Sequence, residues 1–314
     1  MSNKLTTLDG TEISSYCFGA MQFGAGADRS ASEEMYAACR DAGINFFDTA
    51  HGYTEGLSET WLGEMVRPER EAVFFATKVA VSGGSGRQNI LTQFDESRSR
   101  HALDCVDGLY LHRWDPNTPL EETFETLAVL REDGKIRYVG VSNFAAWQVM
   151  KAVCVASRLG LEISLLQPMY NLVKRQAEVE LFPMATDQGI AVAPYSPLGG
   201  GLLTGKYVEG SSGRLMTDQA YHRRYGETWM FDVAQALVGI GKEVGQSSAT
   251  LAVAWVASNP AVTAPIISAR SLEQLKPSLA AVGLTLDPTL RARITALSPT
   301  PGPATDRSEE VDAA

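Results

Sequence analysis

The stretch Ile44-Asn45-Phe46-Phe47-Asp48-Thr49-Ala50-His51-Gly52-Tyr53 runs from a short apolar segment into a polar loop. Two later stretches repeat the pattern, Val73-Phe74-Phe75-Ala76-Thr77-Lys78 and Val106-Asp107-Gly108-Leu109-Tyr110-Leu111-His112. Short apolar runs followed by polar residues read as buried strands. If the strands are parallel and close into a barrel, Asp48, Tyr53, Lys78 and His112 collect at one rim. Their chemistry is coherent: a phenol that can donate a proton, flanked by a cation and an imidazole, suits protonation of an alkoxide as a carbonyl is reduced. Alone, each reads more readily as structural: an Asp caps a helix, a strand-end Lys is solvated, and a Tyr or His packs.

Outward from these segments, apolar runs begin near Tyr16, Ile44, Val73, Val106, Ile136, Ile163 and Ile190, about 30 residues apart, with helical patterns between. Helix starts fall at Ser32-Glu33-Glu34, Ser58-Glu59, Asn89, Pro119 and Asn143, and glycine stops at Gly43, Gly134, Gly160 and Gly189. Before the first run, Leu5 to Ile13 reads as a hairpin about Asp9-Gly10. After the seventh, about 70 residues pass before Val262-Thr263-Ala264-Pro265-Ile266-Ile267, the expected eighth strand. That interval holds a polar, aromatic segment from Ser211 to Trp229, read as a lid, and two helices near Phe231 to Val244 and Ser247 to Ser258.

Parallel strands with helical crossovers form either a closed eight-stranded barrel or an open doubly wound sheet. After the first run, Phe18-Gly19-Ala20-Met21-Gln22-Phe23-Gly24 lacks G-x-G-x-x-G spacing, which argues against a Rossmann sheet. The expectation is an α/β fold: a TIM (β/α)8 barrel with an N-terminal β-hairpin and a long lid loop after strand 7. It is expected to occupy residues 1–298 as one domain, with 299–314, rich in Pro, Thr and acids, as a disordered tail.

The chain has 314 residues, 45% of them hydrophobic, enough for one large core, and a net charge of -10 without a basic stripe, which disfavours nucleic acid as a partner. The first ten residues show no leader pattern, and no stretch approaches the roughly 18 apolar residues of a membrane span, so a cytoplasmic protein that does not bind membranes is expected. Cys17, Cys39, Cys105 and Cys154 are scattered without C-x-x-C pairing and are expected to be buried free thiols. No metal is expected, because the histidines lack carboxylates at ligand spacing. His101 is expected at the surface.

The tetrad, with Gly140-Val141-Ser142-Asn143, Gln167-Pro168-Met169-Tyr170-Asn171, the run from Tyr195 to Lys206 and Ser268-Ala269-Arg270-Ser271, resembles the aldo-keto reductase superfamily of bacterial, NADP-dependent type. The resemblance covers nearly the whole chain. It implies an NADP-dependent oxidoreductase that reduces an aldehyde or ketone to an alcohol by hydride transfer. Tyr53 is then the general acid, with Lys78 lowering its pKa, Asp48 fixing Lys78 and His112 orienting the carbonyl.

The resemblance also assigns the NADPH contacts. Ser142, Asn143 and Gln167 hold the nicotinamide carboxamide, and Tyr195 stacks on the ring. Ser196, Pro197, Leu198, Gly200, Gly201 and Lys206 form a loop for the pyrophosphate, with backbone amides and a cation suited to it. Ser268 belongs to the same site. Arg270 matches the reader of the adenosine 2′-phosphate, and Gln274 fits the adenosine site, but Pro277 and Ser278 depart from the acid and amide usual there. Gly205-Lys206 is not a nucleotide-triphosphatase loop, because Tyr207 stands where Ser or Thr would hold magnesium. Met21, His51 and Trp114 are expected to wall the substrate pocket, which would suit a sugar-like or an aromatic carbonyl. The alternatives are a coenzyme-binding sensor or assembly subunit, and a phosphate-binding barrel isomerase or lyase that would leave Tyr195 and Arg270 unexplained.

Overall fold

Strands and helices alternate along the chain in a computed structural model that describes residues 5–207, 214–307 and 309. They are β1 (Cys17–Gly19), α1 (Arg29–Asp41), β2 (Phe46–Asp48), α2 (Leu57–Val66), β3 (Phe74–Val79), α3 (Arg87–His101), β4 (Val106–Leu111) and α4 (Leu120–Glu132). There follow β5 (Ile136–Ser142), α5 (Ala146–Arg158), β6 (Ile163–Gln167), α6 (Leu181–Asp187) and β7 (Ala191–Val192). The long interval then carries α7 (Arg214–Thr217), α8 (Gln219–Tyr225), α9 (Thr228–Val244) and α10 (Ser248–Ala257), before β8 (Ile266–Ile267), α11 (Leu272–Leu279) and α12 (Pro288–Thr295).

All neighbouring strands pair in parallel, in the order β7-β6-β5-β4-β3-β2-β1-β8. The two ends meet: Ile266 N donates to Pro194 O at 2.9 Å, and Tyr195 bridges Ile266 just past β7. The sheet is therefore a closed (β/α)8 barrel. Both faces of its strands are buried, as parallel strands covered by helices require.

Side-chain alternation divides the core in two. Cys17, Phe46, Phe74, Ala76, Tyr110, Leu165, Ala193 and Ile266 form an inner cluster, while Phe18, Phe47, Phe75, Leu109, Val141, Leu166 and Ile267 pack outward against the helices. The same parity, continued two residues along each strand direction, carries Asp48, Lys78, His112, Gln167, Tyr195 and Ser268 to the C-terminal mouth. Gly140 belongs to this inner set, and a Cβ there would lie 2.4 Å from the Tyr110 ring. At the opposite end, Leu5 and Ile13 of the hairpin join the inner cluster, with Thr6 paired antiparallel to Glu12. Arg137 ties that hairpin to the barrel, donating to Thr6 O at 2.6 Å while pairing with buried Asp107 at 2.5 Å.

Several local expectations change. The first helix begins after Asp28, whose side chain accepts from Ala31 N, rather than at Ser32. Asn143 does not start a helix; it is left-handed at φ 58°, and α5 begins only after Ala145. Only Ile266 and Ile267 of the expected eighth strand join the ladder, because Thr263 and Ala264 instead donate to Val192 O and Pro265 has no N–H to give. The segment read as a lid loop contains α7 and α8, the latter capped by Asp218; Ser211 to Gly213 lie outside the described residues.

Cys17 and Cys39 are buried, but Cys105 is only partly so and Cys154 is exposed. His101 is not a surface residue. It is fully buried against Phe75, with ring centroids 5.1 Å apart, because α2 approaches so closely that a Cβ on Gly63 would lie 2.5 Å from the His101 Cα. Of the tail, residues 299–307 and 309 are described, with a turn closed by Asp306 N on Pro303 O; 308 and 310–314 lie outside the described residues.

Candidate active site

The barrel mouth brings together Asp48 and Lys78 from two strands, His112 from just past β4 and Tyr53 from the loop after β2. Lys78, fully buried on β3, is paired with the Asp48 carboxylate of β2 and donates to Thr49 O at 2.7 Å. Asp48 accepts on its other oxygen from Gln167 Nε2 at 2.9 Å, so the ion pair is hydrogen-bonded from β6 as well. Such satisfaction is what makes a buried charge pair tolerable. The Lys78 ammonium lies 5.0 Å from the Tyr53 ring centroid, and the Tyr53 and His112 rings meet edge-on at 5.7 Å and 85°.

The electrostatics follow from burial and from this pairing. Burial alone would strip Lys78 of its proton, but the Asp48 carboxylate and Tyr53 outweigh it and hold the ammonium above the usual lysine range. For Tyr53, burial is the largest influence and raises the phenol above 10; Lys78 offsets only part of that rise. The expectation that the cation brings the phenol below its ordinary value therefore does not hold for the chain alone, because desolvation of the half-buried phenol outweighs the pull of Lys78. Burial, with Lys78 and Arg113 nearby, lowers His112 to about 3, so it is a neutral imidazole at physiological pH. Its Nδ1 is buried without a hydrogen-bond partner among the described residues.

The residues assigned to the coenzyme divide into two groups. Near the tetrad, Ser142 Oγ donates to Gln167 O at 2.9 Å, Asn143 Nδ2 to His112 O at 2.9 Å, and Tyr195 Oη to Asn143 Oδ1 at 2.7 Å. Asn143 and Ser196 both hold left-handed backbones, which re-aims the chain at the ends of their strands. Beyond them Gly199, Gly200 and Gly201 are all left-handed; a Cβ on Gly200 would meet Tyr221 of α8 at 2.7 Å. Lys206 lies at the end of this loop, its ammonium 4.9 Å from the Tyr207 ring.

The second group lies across β8. Arg270 is exposed at the N-terminal end of α11, its Nε bonded to Gln22 Oε1 at 3.2 Å and its side chain lying on Gly26. Ser268 Oγ is buried without a hydrogen-bond partner among the described residues. Gln274 is exposed, its amide capped by Ser271 Oγ at 3.4 Å. Ser278 is buried instead of facing an adenosine, and Pro277 O accepts from Thr250 Oγ1 at 2.8 Å.

The three pocket residues differ in their surroundings. Met21 is half-buried in the turn after β1. Trp114, past β4, packs edge-on to Phe144 at 5.3 Å and Trp147 at 5.6 Å. The His51 ring is bound to Glu96 of α3 at 2.7 Å. Three residues that the sequence did not single out join them. Thr49 supplies the carbonyl that holds Lys78, and Tyr110 lies 5.9 Å beneath the ammonium. Tyr221 is an electrostatic neighbour of both Tyr53 and Tyr195. Inner-face parity marks Tyr110; nothing local marks Tyr221 beyond its place in the polar aromatic segment. Among the described residues no group of three or more His, Cys, Asp or Glu could hold a metal, and no helix is long and apolar enough to cross a membrane.

The chain is similar to known proteins along most of its length. An uncharacterized oxidoreductase of Bacillus subtilis, YrpG, is 33% identical over 318 aligned positions, covering 93% of this chain and 94% of that protein. A probable voltage-gated potassium channel subunit beta of Arabidopsis thaliana is 34% identical over 290, covering 87% and 88%. Norsolorinic acid reductase A of Aspergillus parasiticus is 30% identical over 301, covering 88% and 76%. The model of the aldo/keto reductase family matches residues 16–299, nearly the entire barrel, and the chain belongs to that family, whose general chemistry is carbonyl reduction.

Proposed function

We propose that this chain is an NADPH-dependent reductase of aldehydes or ketones, formed by one barrel domain over 1–298 and acting in the cytoplasm. The observation that carries it is the buried Asp48–Lys78 pair set against the Tyr53 ring and beside a neutral imidazole. The residues present fit the coenzyme: Ser268 Oγ is buried without a hydrogen-bond partner among the described residues, Gly201 leaves room for the Lys206 ammonium, and Gly26 leaves room for Arg270. When bound, NADPH supplies the hydride. Ser142, Asn143 and Gln167 would hold its carboxamide, Tyr195 its ring, Ser196 to Gly201 with Lys206 its pyrophosphate, and Ser268, Arg270 and Gln274 its adenosine end.

Tyr53 and His112 both hydrogen-bond the substrate oxygen in this reading, the first as general acid and the second as a neutral donor that orients it. As negative charge grows on that oxygen, Tyr53 gives up its proton, and Lys78, already charged, stabilises the phenolate left behind. Asp48 and Gln167 keep the ammonium in place. A second reading, a coenzyme-binding assembly or sensor subunit, draws support from the likeness to proteins named as probable channel subunits. Titrating the purified chain with NADPH and then adding a panel of aldehydes, ketosugars and aromatic ketones separates them. Turnover supports the reductase, tight binding without oxidation the sensor, and absence of binding defeats both.

A further inference from the structure

The loop that carries Tyr53 has an unusual backbone. Thr54, Glu55 and Gly56 are left-handed in succession, at φ 48°, 53° and 93°. Two of the three have side chains, for which this conformation is unfavourable, so the surrounding structure must hold the turn. Much of that support comes from Arg100, near the end of α3. Its Nη1 donates to His51 O at 2.9 Å and to Glu59 Oε2 at 3.0 Å, and its Nη2 lies 3.7 Å from Glu96. The guanidinium also packs on Gly56, where a Cβ would come within 2.5 Å of its Nε.

Glu59 is fully buried on α2 and takes its other hydrogen bond from Thr77 Oγ1 at 2.6 Å, one residue before Lys78 on β3. His51 N donates to Lys78 O at 3.0 Å, and the His51 ring reaches Glu96. The segment between Asp48 and Tyr53 is thus tied on one side to the backbone of the residue that pairs with Asp48, and on the other to Arg100. Helices α2 and α3 supply a stiff support, because they meet at Gly63 and His101 with no room for a side chain.

We propose that Arg100 is a positioning residue for catalysis: anchored by Glu59, it clamps the His51 carbonyl and the Gly56 turn so that Tyr53 stays beside Lys78. The proposal rests on the reductase reading above, in which Tyr53 is the general acid. It asks the clamp to control geometry at the reacting oxygen and to leave coenzyme and substrate affinity alone. A small displacement of a catalytic group costs about tenfold to a hundredfold in rate.

Arg100→Met alone would leave the buried Glu59 charge unpaired and could unfold the chain. The main test is therefore the double variant Arg100→Met with Glu59→Gln, which removes both charges and keeps an acceptor for Thr77. Expected are a melting temperature within a few degrees of wild type and NADPH affinity and aldehyde KM within about twofold, with kcat reduced about tenfold or more. Amide hydrogen exchange in residues 51–57 of the coenzyme-free chain should speed up, and Arg100→Lys should restore part of kcat. Wild-type kcat with unchanged exchange in the double variant overturns the proposal. So does a parallel loss of kcat, KM, coenzyme affinity and melting temperature, which marks a merely structural role. If wild-type protein reduces no carbonyl in the panel, the reductase reading fails, while the exchange measurement still decides whether Arg100 holds the loop.

Discussion

Gln167 Nε2 donates to Asp48 Oδ1 at 2.9 Å, so the carboxylate that holds Lys78 is itself held by the last residue of β6. The two residues are far apart in sequence and meet because both face inward at the ends of their strands. Gln167, expected at the carboxamide, thus also orients the base of the tetrad. In the reaction proposed above, the charge beside Tyr53 is thus fixed before any substrate arrives, and no reorganisation is needed at the moment of proton transfer.

Tyr53→Phe keeps the ring and removes the acid. Carbonyl reduction should fall by about a hundredfold to ten-thousandfold, the usual worth of a general acid, with NADPH affinity within about twofold. Single-turnover oxidation of bound NADPH measures the first and fluorescence titration the second. Near-normal reduction would remove Tyr53 from the role of proton donor.

Lys78→Met should affect both activity and stability. It leaves Asp48 with Gln167 and no counter-charge, a situation that costs about 3–5 kcal/mol in buried pairs. It also removes the influence that offsets burial at Tyr53, so the phenol rises further and gives up its proton less readily. Urea unfolding and kcat, measured on the same preparation, should both fall. A stable variant with unchanged kcat would mean that Lys78 does not tune the phenol.

Inner-face parity explains how much of this site the sequence exposed. Asp48, Lys78 and His112 were legible because each polar residue directly follows an apolar run, and that position in a parallel strand is the barrel mouth. Parity also accounts for Gln167, Tyr195 and Ser268, which the resemblance had assigned to the coenzyme. His101 was misplaced because a helical Arg-Ser-Arg precedes it, and nothing in that stretch reveals that Gly63 on the neighbouring helix lets α2 close over it. Asn143 followed the rule for a helix cap but adopts a left-handed conformation, because its amide is taken by His112 O and Ser142 Oγ. The balance of burial and charge at Tyr53 could not be read from residue types, since it depends on how closely Lys78, His112 and Tyr221 approach the ring in the folded chain.

His101 should make stability depend on acid. Burial holds its folded pKa near 3, against an ordinary value of 6.5, and Leu103 N donates to its Nδ1 at 3.1 Å, so protonation would also break a hydrogen bond. The folded state is thus favoured fully above about pH 6.5, and that advantage is lost as pH falls toward 3, at about 1.4 kcal/mol per unit. His101→Asn keeps an acceptor for Leu103 and removes the titration. Between pH 8 and pH 5 the wild type should lose about 2 kcal/mol more unfolding free energy than this variant. Equal losses would show that His101 is not the buried neutral base described here.

Coenzyme choice should rest on Arg270 and on the absence of a side chain at Gly26. The guanidinium is exposed beyond β8, bonded to Gln22, and lies flat on Gly26, where a Cβ would fall 2.7 Å from its Cδ. A charge-assisted bond from it to a 2′-phosphate is worth roughly 1.5–3 kcal/mol, an order of magnitude or more in affinity. Arg270→Ala should weaken NADPH by about that factor and NADH little, since NADH has no phosphate to lose. Gly26→Val tests the same site without touching the cation: it should displace the flexible guanidinium, leave the fold intact and narrow the preference in the same direction. Ser278 and Pro277 are committed to the core and to Thr250, so the adenosine end has fewer other groups to compensate. Dissociation constants of both coenzymes for wild type and the two variants decide the matter. Equal losses of NADPH and NADH in Arg270→Ala would show that another residue, with Lys206 the nearest cation in the sequence assignment, reads the phosphate.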